Sequence, residues 1–333
     1  MRTSLAALAL ITRRRTGETE YLAQWNPEWA AFHFVGGHRY ADETFRDCLV
    51  REIGEELGVA PGGLAMADDP TARLHYVATS RRAGAETAYT MELFDVELNG
   101  DELCRIEQRP ENAWLGSEEI SAEAMHDGRA ISPTMSLLLG KTGRLPVARK
   151  PDVYAIGVSG HRDLRSDDRA AISRKLSAVF EKAEREAGGR AIEALSPLAA
   201  GADQLFGQQA LARGYRLISP LPLPLKLYRH DFTGESAAEF EQFLHRAAEW
   251  YSLPLGGHSS QAVAVYGPER NEMYEAVGRH VVNRCDLLIA LWDGEVNSKR
   301  GGTGEIVQYA RHATASGPPL QIEIVPVRRQ SRI

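Results

Sequence analysis

Residues 37–59 read Gly37-His38-Arg39-Tyr40-Ala41-Asp42-Glu43-Thr44-Phe45-Arg46-Asp47-Cys48-Leu49-Val50-Arg51-Glu52-Ile53-Gly54-Glu55-Glu56-Leu57-Gly58-Val59. The pattern predicts a helix over Ala41–Leu57 that opens on Asp42 and Glu43, where carboxylates suit the positive end of the helix dipole, and stops at Gly58. Phe45, Leu49 and Ile53 recur every four residues and form an apolar stripe. Glu52, Glu55 and Glu56 stand at i, i+3 and i+4, so the three carboxylates share another face of the same helix. Carboxylates that close repel one another, and a bound cation relieves the repulsion. Oxygen-only ligands select Mg2+ or Mn2+ over softer metals, and Mg2+ in particular keeps waters and bridges to substrate phosphates. For three glutamates alone, the competing interpretation is a solvated acidic face with Arg51 as an ordinary surface partner.

The spacing Gly37-x5-Glu43-x7-Arg51-Glu52-Ile53-x-Glu55-Glu56-x-Gly58-Val59 resembles the signature of the Nudix hydrolases at every fixed position. The resemblance implies a loop-helix-loop that binds Mg2+, with Mn2+ as a substitute, and hydrolyses a diphosphate linked to another group. It assigns Glu52, Glu55 and Glu56 to the metal and Glu52 to the attacking water. Arg51 would orient a glutamate such as Glu43. The carbonyl of Gly36 would add a ligand, because Phe34-Val35-Gly36-Gly37 matches the loop before the family helix, with Val35 where proline is usual. A further acid from a later loop would be Glu107 or Glu111. The segment from Trp114 to Ile120 also resembles the tail of such domains, so the likeness covers about residues 3–140.

Around the signature the first half is mixed α/β. Strand patterns cover Leu5–Ile11, Glu20–Trp25, Leu74–Ser80 and Thr90–Leu98, with a short helix over Ser117–Met125. Arg13-Arg14-Arg15 reads as a solvated strand end. Gly140–Asp152 is basic, contains Gly and Pro and lacks periodicity, which places a linker over 141–152 between domains at 1–140 and 153–330.

From Val153 strands and helices alternate. Strands are expected at Val153–Val158, Ala191–Leu195, Arg216–Leu221, Ala262–Tyr266, Leu287–Trp292 and Leu320–Val325. Helices are expected at Asp167–Ala187, Ala202–Arg213, Ala237–Trp250, Arg270–Arg284 and Glu305–Ala315. This alternation predicts a doubly wound parallel sheet, which binds ligands beyond the carboxyl ends of its strands. Three loops fall at those ends: Gly157–Arg162, Ser196–Asp203 and Gly301–Glu305. Small residues and helix N-termini there suit a phosphate, and a tight turn explains any one of them equally well.

This half resembles the SLOG superfamily of Rossmann-like nucleotide-binding domains, which includes Lonely Guy phosphoribohydrolases, sensor domains of bacterial anti-phage proteins and the cytosolic region of TRP melastatin channels. The resemblance rests on Gly157–His161, Gly201–Asp203, Asp286–Ala290 and Gly301–Glu305. It implies a ligand site that includes Gly160, His161, Gly201, Asp203, Gly301, Gly302, Thr303 and Glu305. Arg229, in a segment placed over the ligand, would contact phosphate or ribose. Arg300 replaces the proline of the phosphoribohydrolase loop and Glu305 misses the family's acid position, which favours a sensor over glycosidic cleavage.

The fold class is therefore α/β throughout: an N-terminal Nudix α/β/α sandwich with a mixed sheet, and a C-terminal Rossmann-like doubly wound parallel sheet. Hydrophobic content of 43% and charge of 25% suit a globular protein, without an apolar run long enough for a membrane span. Three scattered cysteines without a CxxC pair point to a reducing cytoplasm. Residues 1–150 hold 17 Lys and Arg against 23 Asp and Glu, whereas 151–333 hold 22 of each, so the acidic excess lies in the half that would bind cations. Neither half has the basic charge of a generic nucleic-acid binder. The expected partners are a small nucleotide substrate and a second nucleotide ligand, and the chain is compatible with a homo-oligomer.

The leaving group stays open. The proline that often marks ADP-ribose hydrolases is replaced by Leu74 and His75, while Tyr76 holds a position that is often tyrosine in dinucleoside polyphosphate hydrolases. ADP-ribose is kept ahead because some melastatin channels join the same two domains and respond to it. Three readings remain: a nucleoside-diphosphate hydrolase with a sensing domain, a non-catalytic nucleotide sensor, and a nucleosidase with an accessory Nudix unit.

Overall fold

The computed structural model describes residues 1–80, 84–146, 151–295, 300–316 and 320–330. The chain separates into two compact units, residues 1–147 and 148–333. Part of the expected linker, residues 147–150, lies outside the described residues. Among those described, no helix is long and apolar enough to cross a membrane. The cysteines are free thiols.

The N-terminal unit runs β1 (Arg2–Arg15), β2 (Glu18–Asn26), β3 (Ala31–His33), β4 (Gly36–His38), α1 (Phe45–Leu57), β5 (Leu64–Met66), β6 (Ala72–Thr79), β7 (Glu86–Leu98), α2 (Gly100–Glu107), β8 (Asn112–Leu115), α3 (Ser117–Ala122), β9 (Ala130–Ile131) and α4 (Pro133–Lys141). The sheet is mixed, as expected. Strand β1 pairs in parallel with β7 over ten residues and antiparallel with β4 and β2. All four predicted strands lie within or across observed ones. Helices α2 and α4 lie outside the expected elements, although Asn99 caps the first and Ser132-Pro133 opens the second.

Helix α1 starts at Phe45, not at Ala41, because Thr44 closes a capping box: its hydroxyl accepts from Asp47 N at 3.1 Å while Asp47 Oδ2 accepts from Thr44 N at 3.3 Å. Asp42 and Glu43 are thereby left in the loop. Gly58 ends the helix at φ 64°, the left-handed cap that glycine adopts without strain. The stripe is buried as predicted. Leu49, Ile53 and Leu57 are fully covered and pack with Ala7, Ala9, Val35, Phe94 and Val96, with Phe45 half-buried beside them. Truncating one such leucine to alanine costs about 2–5 kcal/mol, so this stripe fixes the helix against β1 and β7.

The C-terminal unit runs β10 (Val153–Gly160), α5 (Arg169–Ala187), β11 (Ala191–Leu195), α6 (Ala202–Ala212), β12 (Arg216–Leu221), α7 (Leu225–Tyr228), α8 (Gly234–Arg246), β13 (Glu249–Ser252), α9 (Ser260–Ala264), α10 (Pro268–Arg284), β14 (Leu287–Trp292), α11 (Thr303–Ser316) and β15 (Gln321–Pro326). Within this unit the sheet is parallel in the order β15-β14-β10-β11-β12-β13. Strand β14 is buried at every position, as a parallel strand covered on both faces should be.

Two expectations fail here. Ala262–Tyr266 is not a strand: Ser259 caps a short helix by accepting from Ala262 N at 3.2 Å, Val263 is buried, and Val265 and Tyr266 are exposed. Helix α8 stops at Arg246 because Ala247 turns extended, and the next residues form β13, whose four side chains are all buried. Trp250, expected as the end of a helix, instead lies in this strand.

Close packing decides one glycine. A Cβ on Gly160 would stand 2.3 Å from Ala202 Cβ and 3.0 Å from Leu291 Cβ, so β10, β14 and the start of α6 meet only over a bare backbone. Gly160→Ala is therefore expected to destabilise the C-terminal unit by about 1–3 kcal/mol, read as a lower urea midpoint of the full chain. An unchanged midpoint would contradict this packing account.

Candidate functional site

The N-terminal site is organised by one guanidinium. Arg51 Nη2 donates to Glu43 Oε1 at 2.8 Å and to the His38 carbonyl at 3.1 Å. Its Nε donates to Glu43 Oε2 at 3.2 Å, and its Nη1 to Glu52 Oε1 at 2.8 Å and Glu55 Oε2 at 3.3 Å. The Tyr40 ring lies 4.2 Å from Arg51 Cζ, a cation-π contact on the planar face of the ion. Glu43 also accepts from Tyr40 N at 2.8 Å. These bonds, from Arg51 first, hold Glu43 down to about 2. The expected pairing of Arg51 with Glu43 is present, and Arg51 reaches Glu52 and Glu55 as well.

Glu56 is set apart. Its Oε2 accepts from Gly36 N at 3.0 Å. Burial first, then the charges of Glu52 and Glu55, push its carboxyl up to about 7. The loop before the helix is shaped for these contacts. Gly36 has φ 134°, and a Cβ on Gly37 would stand 2.4 Å from the Glu52 carboxylate. Val35, in place of the usual proline, is buried in the core with its carbonyl accepting from Ala9 N at 2.9 Å. The far end of α1 is held by arginines that the sequence did not single out. Arg105 donates to the carbonyl of Leu57 at 3.0 Å and Arg109 to that of Glu56 at 3.3 Å, where cations suit the negative end of the dipole.

Among the described residues, no three or more His, Cys, Asp or Glu side chains are gathered into a metal-holding group. Arg51 takes up Glu52 and Glu55, and Glu107 is engaged by Arg13 at 2.7 Å and by Trp114 Nε1 at 3.0 Å. The donor chemistry nevertheless fits a hard divalent cation. All candidate donors are oxygens, and among the described residues no ion pair is made by the Glu56 carboxyl, which burial pushes up to about 7.

Residues 2–134 match the family model for the NUDIX domain. The N-terminal unit is a Nudix domain. Among solved structures, the chain is similar to the Ap4A hydrolase of C. elegans, at 19% identity and TM-score 0.30, covering 43% of this chain and 97% of that one. It is similar to RenU, a Nudix hydrolase of M. smegmatis, at 17% identity and TM-score 0.29, covering 43% and 88%. It is also similar to the NUDIX domain of Shewanella oneidensis NrtR, solved with ADP ribose, at 11% identity and TM-score 0.29, covering 43% and 89%. No curated protein matches the chain.

In the C-terminal unit a cavity of about 280 Å³ opens beyond β10 and β14. Gly160, His161, Asp203, Gly301, Gly302 and Thr303 all line it, which brings six of the expected site residues together. Gly201 does not. Its φ is 82°, and a Cβ there would stand 2.4 Å from the Arg162 carbonyl, so its role is to let the loop after β10 pass. Glu305 ties the glycine loop by accepting from Gly301 N at 2.6 Å. His161 Nε2 lies 3.0 Å from Asp293 Oδ1.

Arg229 is not at the cavity: it pairs with Glu241 at 2.7 Å on the surface. The residue of that segment which matters is Asp231. It accepts from Arg162 at 3.1 Å, Arg270 at 2.5 Å, Tyr266 at 2.8 Å and Tyr274 at 2.5 Å. Arg162, next to His161 in the quoted loop, was within reach of sequence reasoning. Arg270 and Tyr274 stand at i and i+4 on α10, a spacing that sequence reading could have used, whereas Asp231 comes from a separate segment.

The sign of the Glu56 shift gives a test. The folded, metal-free carboxyl holds its proton up to about 7, whereas an unfolded glutamate releases it near 4.5. Between those values the unfolded chain binds fewer protons, so stability in EDTA falls as pH rises. Glu56→Gln should flatten that fall and exceed wild type above pH 7 in urea midpoint. A variant less stable than wild type at pH 8 would contradict the account.

Proposed function

We propose that this chain is a divalent-cation-dependent pyrophosphohydrolase of nucleoside diphosphates linked to a second moiety, with ADP-ribose or a related NAD-derived nucleotide as preferred substrate. The C-terminal unit serves as a nucleotide-sensing domain. The observation that carries the hydrolase reading is the complete glutamate array of α1 around Arg51, inside a Nudix domain. The cavity built from glycine loops in the C-terminal unit supports a second nucleotide site and, with it, the preference for an NAD-derived substrate.

Nudix hydrolases generally use divalent ions. Glu52, Glu55 and Glu56, with the Gly36 carbonyl, would hold Mg2+ or Mn2+, which when bound supplies Lewis acidity and a more acidic water. Arg51 fixes the Glu52 carboxylate in one orientation by a charge-assisted bond. Glu52 orients the water. Glu52, held by Arg51, is the carboxylate we assign to accept the water's proton. Water adds to one phosphorus, the bridging P–O bond breaks, and two phosphomonoesters are released with their protons passing to solvent. From ADP-ribose these are AMP and ribose 5-phosphate.

Full-length protein with Mg2+ and a nucleotide panel, followed by mass spectrometry, tests this. The expected result is phosphomonoester products, loss of turnover in EDTA, and a fall of about 10²-fold or more in Glu52→Gln and Glu56→Gln. Free adenine or nicotinamide as the main product, or wild-type rates in EDTA, would overturn the reading.

A further inference from the structure

The sheet face that carries α1 extends past the glutamates. In the antiparallel pair of β2 and β3, Gln24 stands directly opposite His33, so both side chains leave the sheet on one face. Gln24 Nε2 donates to the Glu56 carbonyl at 3.2 Å, which makes this the α1 face. Val35, two residues beyond His33, packs on α1 from the same side, and the next amide, Gly36 N, donates to Glu56 Oε2 at 3.0 Å. His33 therefore lies along the flank of α1 where Glu52 and Glu56 meet the glycine loop.

Trp29 is held against that histidine. Their rings meet edge to face, with centroids 5.1 Å apart and planes at 61°. Asn26 Oδ1 accepts from Trp29 N at 3.0 Å. Ala30 adopts φ 49°, a left-handed conformation that a non-glycine residue seldom takes unless its surroundings fix it. The indole is thus positioned through its backbone and through its ring, and it is nevertheless 42% exposed. Trp25, by contrast, leaves β2 on the opposite face and packs against the fully buried Phe32. A fixed indole with an open surface, beside a carboxylate array, is a platform for a planar ring, because a pre-placed aromatic face loses little freedom when something stacks on it.

His33 adds direction. Its Nδ1 lies 2.6 Å from the Phe34 carbonyl, which can only accept, so Nδ1 carries the proton. Burial holds the ring below the ordinary histidine pKa and so keeps it neutral at neutral pH. Nε2 is then an acceptor. Among the described residues no hydrogen bond reaches it, and it is not one of the side-chain atoms sealed from solvent without a partner. An incoming N–H group can reach it.

A flat apolar face beside a lone ring acceptor matches a nucleobase that carries an exocyclic amino group. Adenine presents such a donor. Hypoxanthine has an oxygen at the same place, which would oppose the Nε2 lone pair. We propose that Trp29 and His33 form the base subsite of the N-terminal unit, with Trp29 stacked on an adenine-type ring and His33 Nε2 accepting from its amino group. The assignment rests on the hydrolase reading above and names the part of the substrate that is selected. The carboxylates and their cation act on the diphosphate whatever it is joined to, so discrimination falls to groups beside them that touch neither phosphate nor water.

The test is calorimetry on the full chain with Mg2+ and an ADP-ribose analogue whose bridging oxygen is a methylene group, which can bind but not be cleaved. The same analogue with hypoxanthine in place of adenine is its comparison. The adenine analogue should bind, Trp29→Ala should weaken it about tenfold or more, and Trp29→Phe should return most of the affinity. Wild type should bind the hypoxanthine analogue at least about tenfold more weakly, and His33→Phe, which keeps a ring beside Trp29 and removes the acceptor, should close that gap. Melting temperature checks folding; if His33→Phe unfolds, the Trp29 series and the two bases on wild type decide. Absence of binding by the adenine analogue, equal affinity in folded Trp29→Ala and wild type, or no preference between the bases would overturn the assignment. Hydrolysis of ADP-ribose is measured separately. A chain that binds through Trp29 but cleaves no diphosphate refutes the hydrolase reading and leaves the base subsite standing. An active hydrolase whose KM is the same in Trp29→Ala refutes the subsite alone.

Discussion

Everything at the N-terminal site depends on the problem of holding four glutamates within one turn and one loop of a short helix. Arg51 solves most of it. Its planar fork reaches Glu43, Glu52 and Glu55 at once, and its remaining hydrogen-bonding capacity goes to the His38 carbonyl. A lysine ammonium could not make this set, because it presents a point charge and three donors without a fork. Glu56 is left outside the fork, and its raised proton affinity comes first from burial and then from the charges of Glu52 and Glu55. The array is thus a carboxylate face with its repulsion partly relieved and one acid still undercompensated, which is the state in which a divalent cation gains most.

The apolar stripe supports this arrangement from behind. Leu49, Ile53 and Leu57 seat α1 on β1 and β7, and Gly36 and Gly37 bring the preceding loop so near that Glu52 rests over bare backbone and Glu56 receives an amide. Stability and site geometry are linked here: a side chain at Gly37 would displace Glu52, and a truncated Leu49 would let the whole carboxylate face tilt.

How much of this was legible in the sequence varied with how local the physics is. The α1 face, its apolar stripe and its glycine stop follow from spacing along one helix, and they are found as read. The helix start was misplaced by four residues because Thr44 and Asp47 cap each other, a local competition that the acidic Asp42-Glu43 pair obscured. In the C-terminal unit the long elements were readable, while β13 and α9 were exchanged in character: four buried residues make a strand too short to carry a period. The choice of Arg229 failed for a different reason. Whether an arginine faces a cavity or a surface glutamate depends on tertiary packing, and the polar hub at Asp231 draws on the β10 loop, the segment after α7, α10 and the residues before it. Tyr266, Arg270 and Tyr274 share a spacing of four, but no spacing links them to Arg162 or Asp231.

The central claim is that the fork of Arg51, and not its charge alone, prepares the carboxylates for catalysis. The most direct measurement is the steady-state kinetics of Arg51→Lys with Mg2+ and the best diphosphate substrate, alongside circular dichroism to confirm folding. The account predicts a folded protein whose kcat falls at least about 10²-fold, because the charge is kept and the orientation of Glu52 is lost. Wild-type turnover in Arg51→Lys would show that charge suffices and would contradict the account.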